Sequence, residues 1–288
     1  MTNIRIVIDS TADIPRELRE ALGIEMVPLK VHFGTETFHD SVTIESDQFY
    51  EKLAGSPVLP TTSQPSPVEF LETYKRIAAE RPDTQIISIH LAAVLSGTYQ
   101  SAVLAKSMLE DETDVTVVDS KSASYGIGLM AIAAAQAARQ GKSKEECLEA
   151  IAKIRDHCGL YFLVDTLEYL QKGGRIGRAA AFVGSLLNIK PILSLDAEGG
   201  VISVDKVRGH KKATLRIVEL LKEQSGFGGK PVRIVIAHSS SMENAQQFSS
   251  VICEHFDVKE LTYTTLGPVI GTHVGPGTVA VFMLPEAA

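Results

Sequence analysis

The sequence predicts an α/β protein built from two successive α/β units. Two observations carry that expectation. Through the first half, continuous apolar strands alternate with capped helices, the pattern of a parallel sheet covered on both faces. The second half opens with a hairpin-like segment and then mixes strands and helices in a different order, so a second unit is expected. The boundary falls near residue 160, giving units over 1–160 and 161–288 with a cleft or tunnel between them, a preferred place for small-molecule sites.

Each element has its own signal. "IRIVID" (4–9) reads as a buried strand, followed by Asp13 as helix cap, "IPRELREAL" as helix and Gly23 as stop. "SPVEFLETYKRIAAE" opens on a capping box, Ser66 with Glu69, and places Pro67 at the first helical position. "TQIISIHL" reads as the next strand, "YQSAVLAKSML" as a helix and "VTVVD" (115–119) as a strand. The Ala- and Gly-rich "GIGLMAIAAAQAA" (126–138) then reads as a closely packed buried helix, and "SKEECLEAIAKIRDHC" repeats the capping box with Ser143 and Glu146. In the second half, "KPILSLDAEGGVISVDKVR" predicts two strands around a Glu-Gly-Gly turn. A helix over 210–223, the strand "PVRIVIAHS", a helix over 242–255 and the strands "KELTYTTL" and "TVAVFML" complete the chain. There is no internal repeat, low-complexity tract or coiled-coil heptad.

Composition excludes several classes of function. The 288 residues are 44% hydrophobic and 22% charged, ordinary for a globular protein. A formal net charge of −7 argues against a nucleic-acid partner, because phosphate binding is driven by Lys and Arg. Cys147, Cys158 and Cys253 lie far apart without CxxC spacing, so neither a disulfide framework nor a zinc site is expected, and a reducing compartment is. The segment "MTNIRIVIDSTAD" is not a signal peptide, and no apolar run reaches the roughly 18–20 residues of a spanning helix. A cytoplasmic location follows. No HExxH, His/Cys cluster or EF-hand loop points to a metal.

The chemistry is expected where strands end. "DSTAD", "LSGTYQSA" and "DSKSAS" follow three first-half strands, and "PTTSQPSP" (60–67) adds Thr61, Thr62 and Ser63 before a capped helix. Ligands of open parallel sheets bind outside the carboxyl ends of the strands. The competing reading makes these hydroxyls caps and turn residues. Ser96 in "LSGTYQSA" invites comparison with a serine-hydrolase elbow, G-x-S-x-G, but Val94 and Thr98 stand where glycines belong. A nucleophile also needs an oriented base, and no acid partner is evident for His90 or His273. An anion-holding role at a helix start fits Ser96 better. A serine esterase or thioesterase using Ser96 and His273 is the alternative, and a nucleotide-binding transferase a second one, which the missing P-loop disfavours. "GPVIGTHVGPGTVAVF" (267–282) holds His273 in a Gly/Pro-rich loop that favours a functional role over a structural one. "LEYLQKGGRIGR" carries Lys172, Arg175 and Arg178 around glycines, either a solvated helix start or an electropositive docking surface.

Taken together, "DSTADIP", "TSQPSP", "LSGTYQSA", "VVDSKSAS", "LEYLQKGGRIG", "NIKPIL" and "GPVIGTHVGPGTVAV" make the chain resemble the DegV family of bacterial fatty-acid-binding proteins, end to end. Any one motif is weak; seven in order are specific. The resemblance implies a two-domain α/β fold, a three-layer α/β/α N-terminal domain with a mostly parallel sheet and a two-layer C-terminal domain with a mixed sheet. It implies a long-chain fatty acid such as palmitate in an interdomain tunnel, its carboxylate held by Thr62, Ser96 and His273 with Ser63, Gly97, Thr98 and Thr272 beside them. It further implies a non-catalytic subunit that presents the acid to a separate ATP-binding fatty acid kinase for conversion to acyl phosphate, in phospholipid synthesis. Lys172, Arg175 and Arg178 would meet that partner. No cofactor or metal is implied, and transient membrane contact for lipid loading is allowed.

Overall fold

The computed structural model describes residues 3–81, 83–109, 113–183, 189–224 and 227–286; Asn188, the first residue of "NIKPIL", lies outside them. In chain order the elements are β1 (Ile4–Asp9), α1 (Arg16–Leu22), β2 (Glu25–Val27), β3 (Lys30–Phe33), β4 (Glu36–His39), α2 (Ser46–Gly55), β5 (Thr61–Ser63), α3 (Pro67–Glu80), β6 (Gln85–His90) and α4 (Thr98–Ser107). They continue with β7 (Asp114–Asp119), α5 (Tyr125–Arg139), α6 (Lys144–His157), β8 (Gly159–Leu163), α7 (Glu168–Lys172), β9 (Ile189–Leu195), β10 (Val201–Arg208) and α8 (His210–Glu223). The last are β11 (Val232–His238), α9 (Met242–Cys253), β12 (Val258–Thr265), α10 (Pro268–Val274) and β13 (Val279–Pro285).

The first sheet is parallel, in the order β2-β1-β6-β7. Alternation along its strands splits their side chains between two helical layers. Ile4, Ile6, Ile8, Ile87 and Ile89 pack on α5 and α6, against Met130, Ala131, Ala134 and Ile151. Val7, Ile86 and Val115 point the other way, onto Phe70, Tyr74 and Ile77 of α3 and Ala102 and Ala105 of α4. This is the expected three-layer arrangement. The small residues of α5 let it lie close on the sheet, and Gly126, Gly128, Ala131, Ala134 and Ala135 are all buried.

The second sheet is mixed, in the order β10-β9-β8-β13-β11-β12, with only β11 and β12 parallel among these neighbours. One face is covered by α8 and α9, through Ile217, Leu221, Phe248 and Ile252. The other carries Phe162, Leu193, Ala280 and Phe282 and turns toward the parallel sheet, meeting Tyr125 of α5. Since the two-layer unit has no helical layer of its own there, a cavity is left between the sheets.

Two local expectations need correcting. Asp13 is not a helix cap: α1 starts at Arg16 with Pro15 before it and no side-chain cap, while Asp13 closes the short 3₁₀ turn Ser10–Ala12 in a left-handed conformation. "GPVIGTHV" is not a loop but α10, because Pro268 fits the first helical position and the helix ends at Gly275 with φ of 76°. An antiparallel sheet, β4-β3-β5, was also not anticipated; its strands of three or four residues carry too short a pattern to read.

Both capping boxes form, Ser66 with Glu69 and Ser143 with Glu146. Ser66→Ala removes the cap of α3, which directly follows β5, and is expected to lower stability by about 1 kcal/mol in chemical denaturation.

Candidate functional site

A cavity of about 890 Å³, open mouth included, lies between the two sheets. Its wall is mostly apolar. Leu160 and Phe162 from β8 and Ala280 and Phe282 from β13 form one side, because alternate residues of adjacent strands share a face. Leu91 and Leu95 after β6, Leu170 of α7 and Val269, Ile270 and Val274 of α10 form others.

Polar groups gather at one place on this wall. Thr62 Oγ1 lies 2.9 Å from His273 Nε2, joining β5 to α10 across 211 residues of chain. His273 Nδ1 is shielded and has no hydrogen-bond partner among the described residues. Burial, and then the nearby guanidinium of Arg175, push His273 down to about 4, so the ring is neutral at pH 7. Arg175 is anchored by two carbonyls, its Nε donating to Leu95 O at 3.0 Å and its Nη1 to Gly173 O at 2.7 Å. Ser96 follows Leu95 directly and lines the same cavity. Its Oγ lies 2.9 Å from Thr98 Oγ1 and accepts from the Thr98 N–H at 3.3 Å.

The loop bearing Ser96 is braced from behind. Asp9 Oδ2 accepts from Leu91 N at 2.9 Å, Asp119 Oδ1 accepts from Ala93 N at 3.2 Å, and Ala92 N donates to Ser122 O. The strand-end turns thus do two jobs, with their aspartates holding the loop and Ser96 facing the cavity. Gln64 is a site residue that sequence reasoning missed, although it sits inside "TSQPSP". It lines the cavity, and a Cβ at Gly97 would come within 2.7 Å of its amide nitrogen, so glycine is what lets Gln64 close in.

Other expected residues fall elsewhere. Ser63 alternates away from Thr62 and bonds His32 Nε2 at 2.9 Å instead of reaching the cavity. Thr272 is buried with its hydroxyl donating to Pro268 O within α10, and Thr98 is buried behind Ser96. Neither lines the cavity. Of the three basic residues assigned to a partner surface, Arg175 lines the cavity. Lys172 and Arg178 are exposed and paired with Glu168 and Asp196.

A Ser-His-Asp relay does exist, in the core rather than at the cavity. Ser88 Oγ lies 2.6 Å from His90 Nε2, and His90 Nδ1 lies 3.1 Å from Asp9 Oδ2. The acid partner of His90, invisible in sequence, is Asp9, 81 residues away. Burial alone would raise the Asp9 carboxyl, but hydrogen bonding and charge from His90 hold it below its ordinary range. All three residues are fully buried, and Tyr74 OH donates to Ser88 Oγ at 2.7 Å, so Ser88 is a core hydroxyl with no approach for a substrate. Among the described residues, no hydrogen bond joins Ser96 to His273. No group of three His, Cys, Asp or Glu that could hold a metal ion occurs among them either, and no helix is long and apolar enough to cross a membrane.

Residues 3–286 match the family model described as "Uncharacterised protein, DegV family". The chain is 38% identical over 280 residues to protein DegV of Bacillus subtilis, covering 97% of this chain and 98% of that protein. Among solved structures it is similar to a fatty-acid-binding DegV family protein from Thermus thermophilus, with TM-score 0.90, 36% identity and coverage of 99% and 100% of the two chains. It is also similar to a DegV family protein from Ruminococcus gnavus with vaccenic acid, with TM-score 0.85, 28% identity and coverage of 98% and 100%.

The neutral His273 gives a signed expectation. Its folded value of about 4 lies below the ordinary 6.5, so between those values the unfolded chain takes up a proton that the folded chain refuses. Stability from this group is present above about pH 6.5 and lost as pH falls toward 4. His273→Gln should therefore lose about 2 kcal/mol less than the parent chain between pH 7 and pH 5 in denaturant titrations.

Proposed function

Because the chain belongs to the DegV family, we propose that it binds one long-chain fatty acid, tail in the apolar cavity and carboxylate at Thr62, Ser96 and His273. The observation that carries this reading is a mostly apolar cavity whose polar side chains converge around one hydrogen bond, Thr62 to His273. The related structures from Thermus thermophilus, a fatty-acid-binding protein, and Ruminococcus gnavus, with vaccenic acid, support it.

The physics divides the labour. Each buried methylene contributes about 0.8 kcal/mol, so a long acyl chain gains on the order of 10 kcal/mol before ordering costs. A hydrogen bond to a charged group nets about 1.5–3 kcal/mol. The tail therefore dominates affinity, and the head contacts decide which end is posed and where. Arg175 supplies positive charge beside a neutral His273, which suits a carboxylate without a buried histidine having to be charged.

In this reading the chain performs no covalent step. It presents the carboxylate to a separate ATP-binding kinase subunit, which phosphorylates it to an acyl phosphate, and fixed placement beside the partner's nucleotide is its contribution to rate. Lys172 and Arg178, exposed near the Arg175 loop, suit a partner contact. Arg175, in the cavity wall, acts on the head group first.

Two variants test the division. Ser96→Ala should retain bound fatty acid but cut acyl phosphate formation about tenfold or more in a reconstituted assay with a fatty acid kinase subunit; full activity would contradict the posing role. Arg178→Ala should leave fatty acid affinity unchanged and weaken only the kinase-coupled rate, whereas a lost affinity would place its role in the cavity.

A further inference from the structure

Helix α10 supplies Val269, Ile270, His273 and Val274 to the cavity wall, so its placement sets one whole side of the site. Its amino end has no cap of its own. The residue before the helix is Gly267, and Pro268 at the first position has no N–H. Two carboxylates from remote parts of the chain stand at this end, and one of them accepts from it. Gly267 N donates to Asp13 Oδ1 at 3.0 Å, and Asp40 Oδ1 lies beside the same glycine. A Cβ at Gly267 would stand 2.6 Å from Asp13 Oδ1, so glycine is what lets that carboxylate approach. Each carboxylate is held in turn by serines: Ser124 donates to Asp13 at 2.5 Å, and Ser10 and Ser41 donate to Asp40 at 2.9 and 3.1 Å.

We propose that Asp13 and Asp40 are positioning residues for the head-group end of the cavity: by gripping the amino end of α10 they set where His273, in the last turn of that helix, meets Thr62. His273 lies four residues beyond Val269, about 6 Å along the axis. The inference rests on the fatty-acid reading of the cavity.

The clamp is also sensitive to pH. Burial pushes Asp40 up to about 7, with the Asp9 charge adding to it. Desolvation holds Asp13 well above the usual carboxylate range. The charged and titratable groups around them are Asp9 with His90 at the ends of β1 and β6, Tyr50 of α2, and Arg16, Arg19, Glu45 and Tyr263 around a polar cavity. Asp9 is held low and Tyr50 is pushed up, so neither changes charge near neutrality, and Arg16 is paired with Glu45 at 2.8 Å. Asp13, Ser10, Ser41 and Gly267 line that polar cavity, which gives protons a route to the clamp. For Asp40 the folded value exceeds the ordinary 3.8, so its protonated form is the one the fold prefers. Its stability contribution falls as pH rises from about 4 to about 7. Ionisation of Asp40 adds a negative charge beside Asp9 and pushes the Asp13 carboxyl further toward its protonated form. That form accepts the Gly267 N–H less strongly, so the grip on α10 loosens.

The test is the affinity for a dansyl-labelled undecanoic acid between about pH 6 and about pH 8. The parent chain is expected to bind about fivefold more weakly at the higher pH, at the lower end of coupling between distinct sites. Asp40→Asn, which keeps the shape but cannot ionise, should change by less than half as much; the same pH profile in both would overturn the proposal, even if the variant were less stable. A second measurement needs no clamp variant. The imidazole resonances of His273, assigned by their loss in His273→Gln, should inflect near pH 7 in the parent chain without protonation of the ring, and a flat response would also overturn it. Failure to bind the probe at any pH would refute the fatty-acid reading, while the histidine resonances still decide the clamp.

Discussion

The hydrogen bond between Thr62 and His273 ties together parts of the chain 211 residues apart. Thr62 stands on a three-residue edge strand of a small antiparallel sheet, and His273 on a seven-residue helix just before the last strand. Neither element is long enough to be stable alone. Each is held by what surrounds it, β5 by its pairing with β3 and α10 by the Asp13 carboxyl at its amino end. The polar end of the cavity is therefore assembled from short elements leaning on two large sheets, and the rigidity of the site is borrowed from them.

On the proposed fatty-acid reading, that arrangement resolves a conflict inherent in any site for an amphipathic ligand. The tail needs dry, featureless wall, and the head needs donors whose own desolvation is tolerable. Here the wall comes from the open face of the mixed sheet, where alternation delivers Phe162, Ala280 and Phe282. The head contacts come from hydroxyls and a histidine that burial keeps neutral, with one guanidinium anchored on backbone carbonyls. The net charge is concentrated on Arg175, and little uncompensated charge is buried when the cavity is empty.

Much of this was legible from residues alone. Strand periods, capping boxes at Ser66 and Ser143 and the hairpin after residue 189 could be read because each depends on neighbours a few positions apart. Ser96 was legible as a site residue, since it stands in a hydroxyl-rich turn at a strand end, and it lines the cavity. What could not be read depends on distant pairing. Asp9 with His90, Asp13 with Gly267, and Arg175 beside His273 join residues separated by most of a domain or more. Ser63 shows the finer limit. It follows Thr62 in the same motif, but strand alternation sends it to His32, and a strand of three residues gives no pattern from which to foresee that.

The most direct measurement of the central claim is native mass spectrometry of the purified chain, followed by extraction and identification of what it carries. The account predicts a single added mass matching one long-chain fatty acid, displaceable by another added in excess. A chain that arrives empty and remains empty in the presence of long-chain fatty acids would contradict it.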